Sequence, residues 1–177
     1  MTLSKFFTGW GKLVFFDVEE HEIKPDPDSR HYRLANLPNL GAQWKVIFDL
    51  KPVKLVQAEA GRARLVIDLC GKEAGRHVRV GCMFSKWWMQ APALVAGNGV
   101  VNLEIFEIPK LFQWTRVEVT HERFDDQFLL TLALDGKGVA KFDAHPELQR
   151  MTDVYIAAVA ADSEDEGTIK RIVVLRN

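Results

Sequence analysis

Residues 114–136 read WTRVEVTHERFDDQFLLTLALDG, and this stretch decides the fold class. Apolar and polar residues alternate from 115 to 120 and again from 128 to 134. A period of two with a polar opposite face is typical of antiparallel strands that cover a core on one side. Asp135-Gly136, which follows the second run, is a hairpin-turn sequence. The stretch therefore predicts a pair of antiparallel strands that turn back on each other.

The same signals recur along the chain. Residues 44–50 alternate in the same way, and the continuous apolar runs Leu13–Phe16 and Val154–Ala161 predict central strands buried on both faces. Turn-forming residues separate the runs, and Pro146–Met151 is the only predicted helical turn. We expect about eleven to thirteen strands, with a spacing typical of a sandwich. The prediction is an all-β, antiparallel two-sheet fold, and one domain over residues 1–177.

Charge and hydropathy exclude several partners. The net charge is -1, with the basic residues scattered along the chain. Nucleic acids and anionic membranes attract a concentrated basic field, so neither is an expected partner. No run approaches 18 uncharged apolar residues, so we expect no membrane insertion.

The two cysteines are predicted to be unpaired. Residues 62–70 and 77–84 have the pattern of a hairpin around Gly71–Gly75. Cys70 and Cys82 then lie roughly 17–20 Å apart, whereas a disulfide needs Cα atoms within about 7 Å. Unpaired cysteines favour a reducing compartment, and Lys12 interrupts the N-terminal apolar run, which argues against a signal peptide.

The second half of the chain carries a family resemblance. Trp114-Thr-Arg-Val-Glu-Val is followed by Phe128-Leu-Leu-Thr-Leu-Ala-Leu-Asp-Gly136 and by the final run Gly167-Thr-Ile-Lys-Arg-Ile-Val-Val. This order resembles the concanavalin A-like lectin/glucanase superfamily, including galectin-like and laminin-G-like domains. The resemblance implies a jelly roll whose concave sheet often binds sugars. It also points to a secreted protein, against the cytoplasmic reading of the cysteines, so localisation stays open.

Two strands are predicted to present polar side chains outward, on one surface if both belong to the concave sheet. If Val78 and Val80 face the core, His77 and Arg79 face outward, and the same reasoning on 101–105 turns Asn102 and Glu104 outward. Such planar and bidentate groups suit the vicinal hydroxyls of sugars. The alternative is a solvated strand face with cross-strand ion pairs.

An aromatic platform is predicted nearby. Trp87 and Trp88 are adjacent, so one of them faces outward if the segment is extended. An exposed indole stacks well on the apolar face of a pyranose ring. The alternative is that this tryptophan packs beneath a loop or at a subunit contact.

Metal and catalytic roles are less favoured. The acidic run Asp162–Glu166 suits calcium but lacks a spaced ligand pattern, so a solvated turn is preferred and no cofactor or metal is expected. The superfamily's glucanases carry Glu-x-Asp-x-x-Glu on one strand. Here Glu104-Ile-Phe-Glu107 has Phe106 at the Asp position, and its two carboxylates would face opposite sides of a strand.

The sequence thus favours a non-catalytic, lectin-like carbohydrate-binding protein. The predicted contacts come from His77, Arg79, Trp87, Trp88, Asn102 and Glu104. A homo-oligomer fits this function because multivalency raises weak sugar affinities. The alternatives are a protein-interaction or self-associating structural module without a sugar site and, third, a glycoside hydrolase.

Overall fold

The computed structural model describes residues 10–23, 32–56, 65–71, 77–92, 100–151, 154–160 and 165–177. They form thirteen strands and one short 3-10 helix at Pro146–Arg150. The strands are β1 (Lys12–Asp17), β2 (His21–Ile23), β3 (Tyr32–Leu37), β4 (Trp44–Lys54), β5 (Leu65–Cys70), β6 (His77–Met83), β7 (Lys86–Pro92), β8 (Val100–Ile105), β9 (Thr115–Phe124), β10 (Gln127–Leu134), β11 (Lys137–Asp143), β12 (Val154–Ala160) and β13 (Glu166–Arg176).

The strands build two antiparallel sheets. The seven-stranded sheet has the order β1-β13-β4-β9-β10-β11, with β2 also paired to β13. The six-stranded sheet has the order β3-β12-β5-β6-β7-β8. The predicted all-β, two-sheet architecture is confirmed, and so are the strand count and the helical turn after Pro146 in the described part of the chain.

The core lies between the sheets and is built by alternate residues of both. Trp44, Val46, Phe48 and Leu50 face it from β4, and Ile67, Leu69, Val78 and Val80 face it from β5 and β6. A small cavity is lined by most of these same side chains. Apolar burial on this scale is the main favourable term in the free energy of folding.

The turn predicted at Asp135-Gly136 is confirmed. Both residues have positive φ, 50° and 78°, as the two central residues of a type I′ hairpin turn require. The turn joins β10 to β11, and the β9–β10 hairpin before it keeps its register from Gln127↔Phe124 to Leu134↔Val117.

The hairpin that separates the cysteines is also confirmed. Cys70 is opposite His77, and Cys82 is opposite Leu65 at the other end of the β5–β6 pair. Cys82 is a free, buried thiol in the core. Burial, together with the charge on Asp165, raises the pKa of that thiol, so Cys82 does not supply a thiolate nucleophile at neutral pH.

One strand prediction was wrong. Leu13–Phe16 belongs to β1, which lies at an edge of the seven-stranded sheet and pairs with β13. Leu13 and Phe16 are both exposed. A continuous apolar run predicts a strand buried on both faces, but the run alone does not reveal how many strands flank it. The second run, β12, does lie between β3 and β5.

Candidate functional site

A row of polar residues crosses four neighbouring strands of the six-stranded sheet. Cross-strand register places Asp68 of β5 opposite Arg79 of β6, Arg79 opposite Gln90 of β7, and Gln90 opposite Asn102 of β8. Their strand neighbours Ile67, Leu69, Val78, Val80 and Met89 belong to the core, so Asp68, Arg79 and Gln90 face outward. We call these four positions the polar ladder.

Asp68 and Arg79 form the strongest contact of the ladder. Arg79 donates from Nη2 and Nε to Asp68 Oδ2, over 2.6 and 3.2 Å. The Asp68 side chain is 1% exposed, while Arg79 is half-buried. Asp68 Oδ1 is buried and has no hydrogen-bond partner among the described residues. The ion pair thus fixes the guanidinium on the outer face and offsets the charge of a buried carboxylate.

His77 lies on the same face, at one end of β6. It is half-buried and opposite Cys70. Burial lowers the pKa of His77, with Asp68 opposing this effect and Arg79 reinforcing it. A lowered pKa leaves the imidazole mainly neutral at neutral pH, so one ring nitrogen can donate and the other can accept.

The two tryptophans face opposite ways, as the alternation predicted, but neither is an exposed platform. Trp87 packs in the core. Trp88 is on the outer face, between Gly81 and Glu104 in register, yet it is only 5% exposed. Its indole Nε1 is buried without a partner in the described part of the chain. The expectation of an exposed indole is therefore corrected. Alternation determines which side of the sheet a residue faces, but not whether other residues cover that side.

Glu104 is exposed on the outer face, two positions along β8 from the ladder. It forms an ion pair with Lys86 of β7. The Lys86 ammonium also lies 5.5 Å from the ring centroid of Phe106, which follows the end of β8. The arrangement continues the polar surface beyond the ladder and ends it at an aromatic ring.

The structure brings most of the predicted site residues together. His77, Arg79, Trp88 and Glu104 share the outer face, and Asn102 occupies the end of the ladder, although its side chain lies outside the described residues. Two ladder positions, Asp68 and Gln90, were not predicted. Their signal was available, because Asp68 interrupts an apolar run and Gln90 has the same parity as Trp88.

The carboxylates that a glycosidase would need do not converge in the described part of this face. Glu104 pairs with Lys86, and Asp68 is buried against Arg79. Glu107 is exposed in the connection after β8, which ends at Ile105. A retaining glycosidase places its two carboxyl groups about 5–5.5 Å apart on either side of the scissile bond.

The acidic run before β13 is described only from Asp165 onward. Asp165 is fully buried, and its Oδ1 accepts the Val56 backbone N–H over 2.8 Å. That carboxylate therefore fastens the chain after β4 to the start of β13. Residues 162–164 of the acidic run, for which a solvated turn was expected rather than a calcium site, lie outside the described residues.

Among the described residues, one group has its ligand atoms close enough for a metal ion: Asp17, Glu19 and His21, with those atoms all within 4.8 Å of one another. His21 Nε2 is 2.7 Å from Asp17 Oδ2, and the Glu19 backbone N–H donates to Asp17 Oδ1 over 2.8 Å. Contacts within the group already engage both oxygens of Asp17. It lies where β1 and β2 meet β13, on the other sheet.

No protein-family model matches this chain, and no curated protein matches it in sequence. Solved structures do. Endo-β-1,4-glucuronan lyase from the fungus Trichoderma reesei superposes with a TM-score of 0.59 at 10% identity, over 96% of this chain and 92% of that chain. Galectin LEC-6 from Caenorhabditis elegans gives 0.50 at 9% identity, over 88% of this chain and 96% of that chain.

A botulinum neurotoxin type C structure gives a TM-score of 0.59 at 7% identity over 98% of this chain, which spans 49% of the toxin chain. That toxin depends on interaction with two ganglioside molecules to reach the cell interior. The chain has a jelly-roll β-sandwich fold. At these identities the comparisons show the fold alone, and they confirm the resemblance at that level. No helix among the described residues is long and apolar enough to cross a membrane.

Proposed function

We propose that this lectin-like jelly roll is a non-catalytic glycan-binding protein, and that a glycan lies across the polar ladder on the outer face of the six-stranded sheet. The observation that carries the proposal is the register that aligns half-buried Arg79 and Gln90 on adjacent strands with Asn102 on the next, while buried Asp68 holds the Arg79 guanidinium. Adjacent strands lie about 4.8 Å apart, so the row places one polar position at each such step across the sheet.

The charges on this face are compensated in pairs. Arg79 is paired with Asp68, Lys86 with Glu104, and burial lowers the pKa of His77 towards the neutral ring. Uncharged hydroxyl groups, which both donate and accept, suit such fixed and balanced groups. The galectin among the similar folds and the ganglioside dependence of the toxin support a glycan as the ligand.

Gln90→Ala tests this proposal. Gln90 is half-buried in the middle of the ladder, and its amide both donates and accepts. Losing one donated and one accepted hydrogen bond should weaken glycan binding by about thirtyfold, since each contributes about 1 kcal/mol. The measurement is binding to a printed array of neutral and acidic glycans, followed by calorimetry on the strongest binder.

The matched control is Gln127→Ala, which removes the same side chain from an exposed position at the start of β10 on the other sheet. It should bind as the wild type does. A wild-type protein that binds no glycan on the array, or a Gln90→Ala protein with unchanged affinity, would refute the proposal.

A second candidate, self-association, is favoured by the connection from β8 to β9. Ile108 and Phe112 are each 69% exposed, and Leu111 is exposed as well. The segment is held in place, because Pro109 is buried and the Phe112 N–H donates to the Pro52 carbonyl over 2.8 Å. Phe112 also has a left-handed φ of 60°, which is rare for a bulky residue. An apolar surface fixed in this way suits contact between protein copies.

If this candidate holds, light scattering will show a dimer whose mass does not depend on added glycan. Ile108→Asp combined with Phe112→Asn should convert it to a monomer, because a charge and an amide then replace the exposed apolar surface, and Asn tolerates positive φ. Val18→Asp, at an exposed apolar residue elsewhere, is the control and should leave the dimer intact. A wild-type monomer at the highest soluble concentration would rule the candidate out.

A further inference from the structure

An exposed aromatic ring lies at the far end of the outer face that carries the ladder. Phe106 is 83% exposed and follows the end of β8, in a tight turn where the Glu107 N–H donates to the Ile105 carbonyl over 2.8 Å. Its side of the sheet is confirmed by Lys86, which contacts both residues: it pairs with the Glu104 carboxylate, and its ammonium lies 5.5 Å from the Phe106 ring centroid.

The Phe106 ring is oriented by a chain of charged contacts. Glu104 holds the Lys86 ammonium, and Lys86, with a side chain only 15% exposed, holds the ring through a cation–π contact. An exposed phenylalanine gains apolar stabilisation when a ligand covers it, and a ring that a neighbouring cation restricts in part has less entropy to lose on binding. Because most of its surface is exposed, Phe106 has the properties of a stacking platform. Trp87 and Trp88 do not, because both are buried.

The ring and the ladder are too far apart for one sugar to contact both. Lys86, which contacts the Phe106 ring, lies four residues from Gln90 along β7, which corresponds to roughly 13 Å. Glu104 lies between Phe106 and the ladder position on β8. A ligand that engages both ends has to run along the direction of β8 over at least two rows of the sheet.

We propose that Phe106 forms an outer subsite that stacks on the apolar face of a pyranose ring, so that the ligand class is an oligosaccharide rather than a single sugar. The inference rests on the proposed glycan-binding function and deepens it. The C–H groups of a pyranose face meet the negative face of an aromatic ring favourably. The polar ladder then holds one sugar by hydrogen bonds, and Phe106 holds another further along the chain of sugars.

Phe106→Ala tests the subsite on an array of galactosides, glucosides, mannosides and uronates, printed as mono- to hexasaccharides. Wild-type affinity should rise with length once the glycan reaches Phe106. The variant should bind monosaccharides normally and bind the longer glycans about three- to tenfold more weakly, as expected for one aromatic stacking contact. Because the ring is exposed, its removal should leave the fold intact.

Phe124→Ala is a closely matched control. Phe124 is 58% exposed at the end of β9 on the other sheet. It also makes a cation–π contact with a lysine, since Lys141 Nζ lies 4.7 Å from its ring centroid. This variant should bind every glycan as the wild type does. An equal loss in both variants would overturn the subsite, because it would show a nonspecific effect of exposed aromatic rings.

The remaining outcomes separate the two proposals. In one outcome the wild type binds glycans, Gln90→Ala loses binding, and the affinity of Phe106→Ala still rises with glycan length as much as that of the wild type. The subsite is then wrong and the glycan-binding function stands. If the wild type binds no glycan of any length, both are wrong.

Discussion

Arg79→Met will lower the free energy of unfolding at neutral pH by about 3 kcal/mol, because it leaves a buried carboxylate without its cation. The Asp68 side chain is 1% exposed, and among the described residues its contacts are the two hydrogen bonds from Arg79. Methionine keeps most of the apolar volume of arginine, so the loss of stability measures the effect of removing the positive charge. Urea unfolding of the variant against the wild type measures it.

Two comparisons isolate the cause. Arg116→Met removes an arginine from another buried carboxylate, Asp49, but that carboxylate retains its contact with Arg171. Arg116→Met should therefore lower the free energy of unfolding clearly less than Arg79→Met does. Adding Asp68→Asn to Arg79→Met removes the stranded charge and should recover much of the stability. If Arg79→Met and Arg116→Met cost the same, or if the double variant is no more stable than Arg79→Met, the buried ion pair does not have this role.

Acid will destabilise the protein through His121. This side chain is fully buried and stacks between Trp44 and Phe128, at centroid distances of 5.4 and 5.2 Å. Its Nδ1–H donates to the Ala42 carbonyl over 2.7 Å. Burial lowers the pKa of His121 to about 4, and the hydrogen bond to Ala42 opposes this only in part.

The sign of the pH dependence follows from the lowered pKa. The unfolded chain takes up the proton near its ordinary value of about 6.5, while the folded protein resists it until about pH 4. Between these values the unfolded state binds more protons, so stability falls as pH falls. The loss from this one group approaches roughly 3 kcal/mol at the acid end, at 1.36 kcal/mol for each unit of pKa shift.

His121→Phe keeps an aromatic ring in the stack and removes the titrating group. We expect its free energy of unfolding to fall less than that of the wild type between about pH 7 and pH 4. Carboxylates titrate in both proteins, so the difference between the two curves is the informative quantity. Parallel curves for the two proteins over that range would contradict the assignment to His121.

The two-sheet architecture was predictable because local sequence patterns determine the strands and turns that build it. Alternation assigned residues 44–50 and 115–134 to faces, and Asp135-Gly136 marked a turn whose two positive φ angles the structure contains. The failure at Leu13–Phe16 has a physical reason. A strand's position in the sheet depends on long-range pairing, here with β13 at the opposite end of the chain, and no local pattern records it.

The candidate site was predictable only in part. Alternation turned His77, Arg79 and Glu104 outward, but it could not show that their strands share a sheet or that Asp68 and Gln90 complete a row, since that requires the register of three strand pairs. Nor could it separate a buried outward tryptophan, Trp88, from the exposed Phe106. Exposure depends on what lies above a face, which is a property of the whole fold.

The most direct measurement is a titration of the isotope-labelled protein with the strongest-binding glycan of the array, followed residue by residue through the backbone amide resonances. Binding across the polar ladder predicts shifts concentrated on β5 to β8, around Arg79 and Gln90, with β9 to β11 unaffected. Shifts confined to the seven-stranded sheet, or none at saturating glycan, would contradict a glycan site on this face.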